Sequence, residues 1–424
     1  MEDELFMRFG RDIFAGVTMA MASLAIFTAA ASMLQQAGMD FAGSFTAGVL
    51  LSLAGTLWSA YKRYGVVLTP SLTATGYLVF IVAISHGLGW QAMLGISFSA
   101  SLLGLLLWQG STYLPRWNLP RIFPWGIKLA LAVFLICLGL KMGRIVINSP
   151  WQVTMLGDAA DPLMYWSMAG IVLTMALLAG GWRSALFSGM VVTGAVTFSE
   201  GFWVIPAAPF FLPEGLEKVF GQLSLGVSDV QNSAFYLVTV LSLLVMLSAI
   251  HWSTFSALSR AGKPAEGVRF LFALGTLGAL CGVPPLVISP VSAVPAEGNG
   301  RRGLLAAALL FVGALFCEPI IAAMADFPAM AVPVLVGSGF LLLLAAVQDC
   351  PLSENALERR AEVLAISVLV LLLPLTGNFA TALGSSLIGY ALFMSMAGNF
   401  RQVAGIVWLI SGIFALYYVY GSLF

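Results

Sequence analysis

Residues 66 to 76 read VVLTPSLTATG, and residues 286 to 293 read LVISPVSA. Both stretches run from bulky apolar residues into a proline, Pro70 or Pro290, that has hydroxyl side chains on either side. The proline ring disfavours helix for the residue before it and suits the first helical turn after it. Each stretch is therefore predicted to be a short strand that turns into a half-helix. Two such interruptions in corresponding halves of a chain are typical of membrane carriers.

The composition requires a lipid environment. Of the 424 residues, 60% are hydrophobic and 9% are charged, and the mean hydropathy is +0.97. So few polar side chains cannot cover a soluble globule of this size. The formal net charge is zero, so no nucleic-acid partner is expected. The first residues, MEDELFMRFGRD, lack a basic segment before the apolar run, and a cleaved signal peptide is not expected.

Motifs for metals, cofactors and enzymes are not found. The four cysteines, Cys137, Cys281, Cys317 and Cys350, lie in or beside apolar runs without a CxxC pair, which favours reduced packing residues over disulfides or a metal site. The chain has two histidines and no GxSxG, HExxH or Walker sequence. We therefore expect no cofactor and no enzyme, and we interpret the 44 glycines as sites of close helix packing.

Apolar runs near the length of a membrane-crossing helix recur along the whole chain. About fourteen spans are predicted, at 12–34, 42–61, 66–86, 90–113, 124–143, 162–180, 184–199, 233–257, 268–284, 285–298, 302–324, 327–347, 361–376 and 378–396. The third and tenth contain the interruptions. Residues 361–396 fit equally a helix pair with a tight turn at 376–378. A last run, 403–423, either spans or lies on the membrane.

The basic residues orient these spans, because Lys and Arg accumulate in cytoplasmic loops. With the N-terminus inside, only Lys141, Arg144 and Lys218 of the 19 Lys and Arg fall outside. The prediction is a multi-pass protein of a bacterial-type cytoplasmic (inner) membrane with a cytoplasmic N-terminus. The stretch 201–232 is predicted to be an extracytoplasmic connector with an interfacial helix, and a substrate lid is the alternative.

The interruptions are the predicted solute site. A break in a span survives only where it faces protein or a watery cavity, and the amides at a half-helix start suit carbonyl oxygens, ring nitrogens or small anions. Neutral hydroxyl groups surround the same point, on Thr69, Ser71, Thr73, Thr75, Ser289 and Ser292. The alternative is that these hydroxyls only cap the half-helices or bond back to carbonyls.

Several segments, taken in order, resemble the xanthine/uracil permease superfamily, and most closely its hypoxanthine/guanine/adenine permease branch. They are RDIFAGVTMAMASLAIF, QQAGMDF, YGVVLTPSLTATGYLVF, GLGWQAMLG, GIKLALAVFLICLGLKMGRIVINSP, NGRRGLLAA and LLPLTGNFATALGSSLIGYALF. The resemblance runs from about Arg11 to Arg401. No single motif is specific for the family, but the order and spacing of these segments together make the resemblance specific.

The resemblance implies an all-α polytopic fold with a seven-plus-seven inverted repeat. Its core domain holds the solute and moves against a gate domain. The implied division is core in 1–122 and 233–326, connector in 201–232, and gate in 123–200 and 327–424, the last part including the C-terminal helix. Relatives import nucleobases, usually with H+ or Na+ and often as homodimers.

The resemblance also places solute contacts. They fall on Leu72 and Thr73 in the third span, Met246 and Ile250 in the eighth, and Pro290 and Val291 in the tenth. Where the family has carboxylates, this chain has Met246 and Val291, which can neither accept bonds from a base's N–H edge nor carry a proton.

Two other groups are candidates for proton coupling. His251 lies in the eighth span and Glu297 ends the tenth. The alternatives are that His251 only packs between helices and that Glu297 forms a solvated charge pair with Arg301 and Arg302.

The resulting hypothesis is a secondary transporter of a small polar solute, most simply a purine or similar heterocycle, working by an elevator movement of core against gate. A sulfate- or bicarbonate-type anion permease of the same fold is the first alternative. A membrane sensor or scaffold that does not transport is the second, since two carboxylates are missing.

Overall fold

The computed structural model describes residues 2–109, 119–149, 153–182, 184–226, 230–259, 264–293, 301–348 and 350–422. These residues are mostly helical. The helices are α1 Glu2–Gln36, α2 Phe41–Lys62, α3 Leu72–Gly76, α4 Gly89–Gln109, α5 Ile122–Met142, α6 Pro162–Ala179, α7 Ala185–Ser199, α8 Leu216–Val219, α9 Val230–Leu258, α10 Pro264–Leu280, α11 Arg301–Phe316, α12 Glu318–Asp326, α13 Val332–Val347, α14 Ala356–Thr376, α15 Phe379–Met396 and α16 Gly405–Ser422. The strands are β1 Leu68–Pro70, β2 Val146–Asn148, β3 Thr154–Leu156 and β4 Leu286–Ile288.

Polar side chains mark where several of these helices begin. The Oδ2 atom of Asp40 accepts from the Gly43 amide at 3.0 Å and starts α2, and Asp161 caps α6 in the same way. Such caps satisfy amides that have no partner inside the helix. Gly377 ends α14 with a φ of +63°, and Asn378 then caps α15. The structure therefore contains a helix pair with a tight turn at 376–378, which is the alternative interpretation of residues 361–396.

Eight helices in the described part of the chain are long and apolar enough to cross a membrane, and a bent pair makes a ninth if it is one span. The eight correspond to α1, α2, α4, α5, α6, α9, α15, and α13 with the turn before it. Shorter apolar helices cover 72–85, 185–199 and 405–419. The protein is thus a multi-pass membrane protein, while the total of fourteen spans stays a prediction.

The structure differs from the sequence expectations at four places. The run 302–324 is not one rod, because α11 and α12 meet at Cys317 with a bend of 81°. A π-helix, Tyr77–Ser85, continues α3. The connector contains only the four-residue α8 within its described residues, 201–226, and β2 pairs with β3 as a hairpin in a predicted loop.

Helix contacts recur in matched pairs across the two halves of the chain. The contact between α1 and α11 corresponds to the contact between α9 and α4. In the same way, the contact between α2 and α11 corresponds to the contact between α10 and α4. The contact between α5 and α14 corresponds to the contact between α13 and α6, and the two equivalent helices α5 and α13 also pack on each other. Strands β1 and β4 pack on α1, α2, α9 and α10, which form one set of helices together with α4 and α11, while α5 and α13 lie against this set.

Small residues allow this close packing. A Cβ atom on Gly16 of α1 would collide with the backbone carbonyl of Gly303 on α11. A Cβ on Gly55 of α2 would come within 2.9 Å of a methyl carbon of Leu274 and would also collide with the side chain of Leu68 in β1. Glycine at these positions lets helix backbones approach each other and the strand, as in other membrane helix bundles.

Candidate functional site

The two proline-containing stretches meet in space. Strands β1 and β4 form an antiparallel ribbon in which Leu68 faces Ile288, Thr69 faces Val287 and Pro70 faces Leu286. The Ser289 amide donates to the Val67 carbonyl at 2.8 Å, and the Ser71 amide donates to the Pro285 carbonyl at 3.0 Å. The ribbon is therefore closed at both ends by hydrogen bonds next to the prolines.

Hydroxyl side chains satisfy backbone groups that the ribbon leaves open. Ser59 of α2 donates to the Val66 carbonyl at 2.7 Å and accepts from the Val66 amide at 3.2 Å. Thr56, one turn earlier on α2, accepts from the Leu68 amide at 3.3 Å. In apolar surroundings every backbone group needs a partner, so these side chains are the reason that extended backbone is tolerated here.

Ser292 serves the same purpose from the other stretch. Its Oγ atom accepts from the Val67 amide at 3.1 Å, and the residue is buried. The hydroxyl predicted to contact solute therefore ties the two stretches together. Pro290–Ala293 forms a single 3-10 turn, and residues 294–298, with Glu297, lie outside the described residues. The described residues thus contain one half-helix start, that of α3, and the predicted second half-helix is described only as this turn.

The start of α3 presents donors without partners. Ser71 caps it, its Oγ accepting from the Ala74 amide at 3.2 Å and lying 3.1 Å from the Thr73 Oγ1. The amides of Leu72 and Thr73 find no acceptor among the described residues. Because α3 runs on into the π-helix, the continuous helix covers 72–85, and its N-terminal amides carry partial positive charge.

A small cavity lies at this helix start. Its volume is about 40 Å³, and the residues around it come from α1, β1, α3, α5, α9, β4 and α13. The lining is Ile26, Pro70, Ser71, Leu72, Thr73, Leu131, Phe134, Leu135, Ile250, Thr254, Leu258, Val287, Ile288, Pro290 and Leu342. None of these side chains is ionisable. A water needs about 10–15 Å³, so the cavity holds a few waters and is too small for a purine.

The cavity brings together five of the residues predicted to bind solute, Ser71, Leu72, Thr73, Ile250 and Pro290. The other six described candidates are buried but do not line it: Thr69, Thr75, Met246, Ser289, Val291 and Ser292. Among the described residues, the hydroxyls of Thr69, Thr75 and Ser289 have no hydrogen-bond partner.

The sequence reasoning missed the wall that faces α3. Leu131, Phe134 and Leu135 of α5 and Leu342 of α13 complete the cavity. They are ordinary apolar residues in ordinary apolar helices, so no sequence signal marks them. Thr254 is different, because it follows Ile250 by four residues and shares its helix face.

His251 follows Ile250 in the chain but does not line the cavity. The residue is 1% exposed, and its ring meets the Phe272 ring edge-on, with centroids 5.0 Å apart and planes at 84°. Its Nδ1 atom has no hydrogen-bond partner among the described residues. This geometry is that of a ring packed between helices, and its part in proton coupling stays a hypothesis.

A second, larger space adjoins the first. This vestibule has a volume of about 510 Å³ and lies between the ends of α1, α5 and α14 and the start of the π-helix. Phe80, Ser32, Gln36, Lys141 and Thr376 are among the residues around it. Phe134 lines both spaces, so its ring forms part of the wall between them.

No known protein-family model matches the chain. Curated relatives nevertheless align over nearly all of it. Permease MJ0326 of Methanocaldococcus jannaschii is 27% identical over 423 residues, covering 96% of this chain and 94% of the relative. Guanine/hypoxanthine permease PbuO of Bacillus subtilis is 26% identical over 420 residues, covering 94% of each chain. Adenine permease AdeP of Escherichia coli is 21% identical over 428 residues, covering 96% and 92%.

The chain is homologous to nucleobase permeases. This finding is consistent with the xanthine/uracil permease superfamily, and the resemblance drawn from the motifs is confirmed. The three relatives are permeases and none is named as an enzyme, which supports the prediction that this permease homologue is not an enzyme.

The fold of this permease homologue is also found in anion transporters. SLC26A9 superposes with a TM-score of 0.62 at 12% identity, covering 92% of this chain. The chain spans 65% of the length of SLC26A9. The transmembrane domain of the cyanobacterial bicarbonate transporter BicA gives 0.57 at 13% identity, covering 87% of this chain and 96% of that domain. At such identities the likeness concerns the fold alone.

Proposed function

We propose that the protein is a secondary transporter of a nucleobase, most simply a purine, and that the solute binds at the start of α3. The observation that carries the proposal is the cavity at the start of α3, which Ser71 and Thr73 border beside two amides without acceptors, although the surface open to the cavity in this conformation is almost wholly apolar. Sequence relatives named for guanine, hypoxanthine and adenine support the solute class.

The chemistry of the cavity suits a neutral heterocycle. Hydroxyl groups both donate and accept, and backbone amides donate, so together they match the carbonyl oxygens and ring nitrogens of a base. Apolar side chains from α5, α9 and α13 can cover its flat faces. A small number of polar groups in an apolar pocket is the usual design of a small-molecule site.

Movement follows from the size of the cavity. A purine does not fit into about 40 Å³, so the wall from α5 and α13 must move away from α3 and α9 for binding. We propose that α1 to α4 and α9 to α12 are the core, that α5 to α7 and α13 to α15 are the gate, and that the core shifts against the gate as an elevator. The matched helix contacts support an inverted repeat of seven and seven spans.

Orientation, assembly and coupling complete the proposal. The N-terminus faces the cytoplasm of a bacterial-type inner membrane, and the protein can act as a homodimer with H+ or Na+ as the coupling ion. Met246 and Val291 supply no carboxylate, and no ionisable side chain lines the cavity. Coupling through His251 or Glu297 would therefore act from outside the cavity lining described.

An anion permease is the second candidate. The free amides of Leu72 and Thr73 at a helix start favour an anion, and the described lining contains no carboxylate that would repel one. The lining also contains no cation, which favours a neutral solute.

Transport in proteoliposomes tests these alternatives. Uptake of labelled hypoxanthine, competed by guanine and adenine but unaffected by sulfate and bicarbonate, is the expected result. Uptake of sulfate or bicarbonate without hypoxanthine uptake would replace the proposal by the anion permease. Binding without flux of any of these solutes would instead indicate a sensor.

A further inference from the structure

We propose that the vestibule is a second solute site, distinct from the cavity at α3, and that it takes an oxo-substituted nucleobase before the base reaches that cavity. This inference rests on the proposed function, because it concerns the same solute class. It adds a site on the route and assigns it to residues of α1, α5 and the π-helix.

The first argument is the volume of the vestibule. The vestibule measures about 510 Å³, whereas the cavity at α3 measures about 40 Å³. Pockets that hold small organic molecules commonly measure about 300–1,000 Å³. In this conformation the vestibule can therefore hold a base and the inner cavity cannot.

The second argument is the chemistry of the lining. Gln36 and Lys141, both exposed residues, line the vestibule, and neither side chain makes a hydrogen bond or an ion pair within the part of the chain that is described. A glutamine amide matches the paired N–H and C=O edge of an oxopurine, and an ammonium group donates to its carbonyl oxygen. Phe80, 38% exposed, and Phe134 supply apolar ring surface in the same space.

The third argument is continuity. Phe134 borders both spaces, and α1 also contributes to both, through Ala29 on the vestibule side and Ile26 on the cavity side. A base held in the vestibule is therefore separated from the free donors at α3 by a wall of side chains that includes the Phe134 ring. Movement of α5 against α1 would open the way between the two sites.

Cys137 makes this testable, since it is a free, half-buried cysteine that also lines the vestibule. The experiment uses the full chain in proteoliposomes with Cys281, Cys317 and Cys350 replaced by serine. The rate of Cys137 alkylation by a small maleimide is measured against hypoxanthine concentration. Hypoxanthine is expected to slow alkylation. Adenine, which has an amino group in place of the carbonyl, is expected to protect less.

Substitutions then assign the site. Gln36→Leu and Lys141→Ala should each raise the half-protecting hypoxanthine concentration roughly two- to twelvefold, the loss expected for one hydrogen bond. Gln35→Leu is the matched control, because Gln35 is exposed like Gln36 but does not line the vestibule. Thr73→Val, which alters the inner cavity, should leave the half-protecting concentration unchanged.

Two failures are distinguishable. If equilibrium binding of labelled hypoxanthine is detected but Cys137 is unprotected, or if protection depends on Thr73 and not on Gln36, the vestibule site is refuted while the proposed function stands. If hypoxanthine does not bind at all, the proposed function itself fails. A chain with Cys350 as its one cysteine, which is exposed and does not line the vestibule, controls for any direct effect of hypoxanthine on the reagent.

Discussion

Thr73→Val is the sharpest test of the cavity at α3. The change removes one hydroxyl and keeps the shape of the side chain, so packing against the cavity wall is preserved. Thr73 is 4% exposed, and the partner of its hydroxyl within the described residues is Ser71 Oγ at 3.1 Å. Ser71 still accepts from the Ala74 amide at 3.2 Å, so the cap of α3 survives the substitution.

The expected magnitude follows from one hydrogen bond to solute. A typical hydrogen bond contributes about 0.5–1.5 kcal/mol net. Since about 1.4 kcal/mol corresponds to a tenfold change, the Kd of the cavity at α3 for hypoxanthine, as distinct from that of the vestibule, should rise roughly two- to twelvefold. The thermal unfolding midpoint of the protein without solute should change little, because the lost contact joins two hydroxyls only two residues apart in the chain.

Equilibrium binding of labelled hypoxanthine to the purified protein, with uptake by proteoliposomes in parallel, measures this effect. Thr75→Val is the matched control two residues away. The Thr75 hydroxyl is buried, has no hydrogen-bond partner among the described residues and does not line the cavity. Its removal should therefore leave the Kd unchanged. Equal affinity losses in the two variants, or no loss in Thr73→Val, would refute the assignment of solute to this cavity.

Three further outcomes are expected. Ser292→Ala leaves the buried Val67 amide without its acceptor, so the free energy of unfolding should fall by about 1–3 kcal/mol, and an unchanged thermal midpoint would contradict this role. Gly16→Ala should lower the yield of folded protein on size-exclusion chromatography, because the new methyl group meets the backbone of Gly303; Gly313→Ala, in open space on the same partner helix, should not. His251→Leu should leave the pH dependence of hypoxanthine uptake unchanged if the ring only packs, whereas a displaced pH profile would establish proton coupling through it.

Much of the fold could be read from the chain. The apolar runs predicted α2, α4, α5, α6, α9 and α13 to within a few residues, because helix in lipid follows directly from length and hydropathy. They predicted the end of α1 equally well but not its start, which lies ten residues before the predicted span. The strand at each proline was also predicted, since proline restricts the residue before it. The bend at Cys317 was missed, although Pro319 follows it, because the apolar composition continues across the break.

The site was predictable only in part. Hydroxyl groups beside Pro70 and Pro290 predicted where a candidate site would lie, and Ser71, Leu72, Thr73, Ile250 and Pro290 line a cavity there, while solute binding in it stays a proposal. The sequence offered no way to sort these residues from their buried neighbours. In a strand of three residues, the direction of each side chain is set by the register with the partner strand, and that partner lies more than two hundred residues away.

The sequence by itself determined that the protein lies in lipid, because only 9% of its residues are charged. It also determined where regular helix must end, because a proline follows a β-branched run at each of these places. Only the tertiary structure decided which partners the residues at these helix breaks contact. Antiparallel pairing of β1 with β4 commits Ser292 to the Val67 amide and leaves Thr73 facing the cavity, and packing of α5 and α13 adds a wall of plain apolar residues. The physical reason is that hydrophobicity is a property of single residues, whereas a cavity and a hydrogen-bond partner exist only between segments brought together by packing.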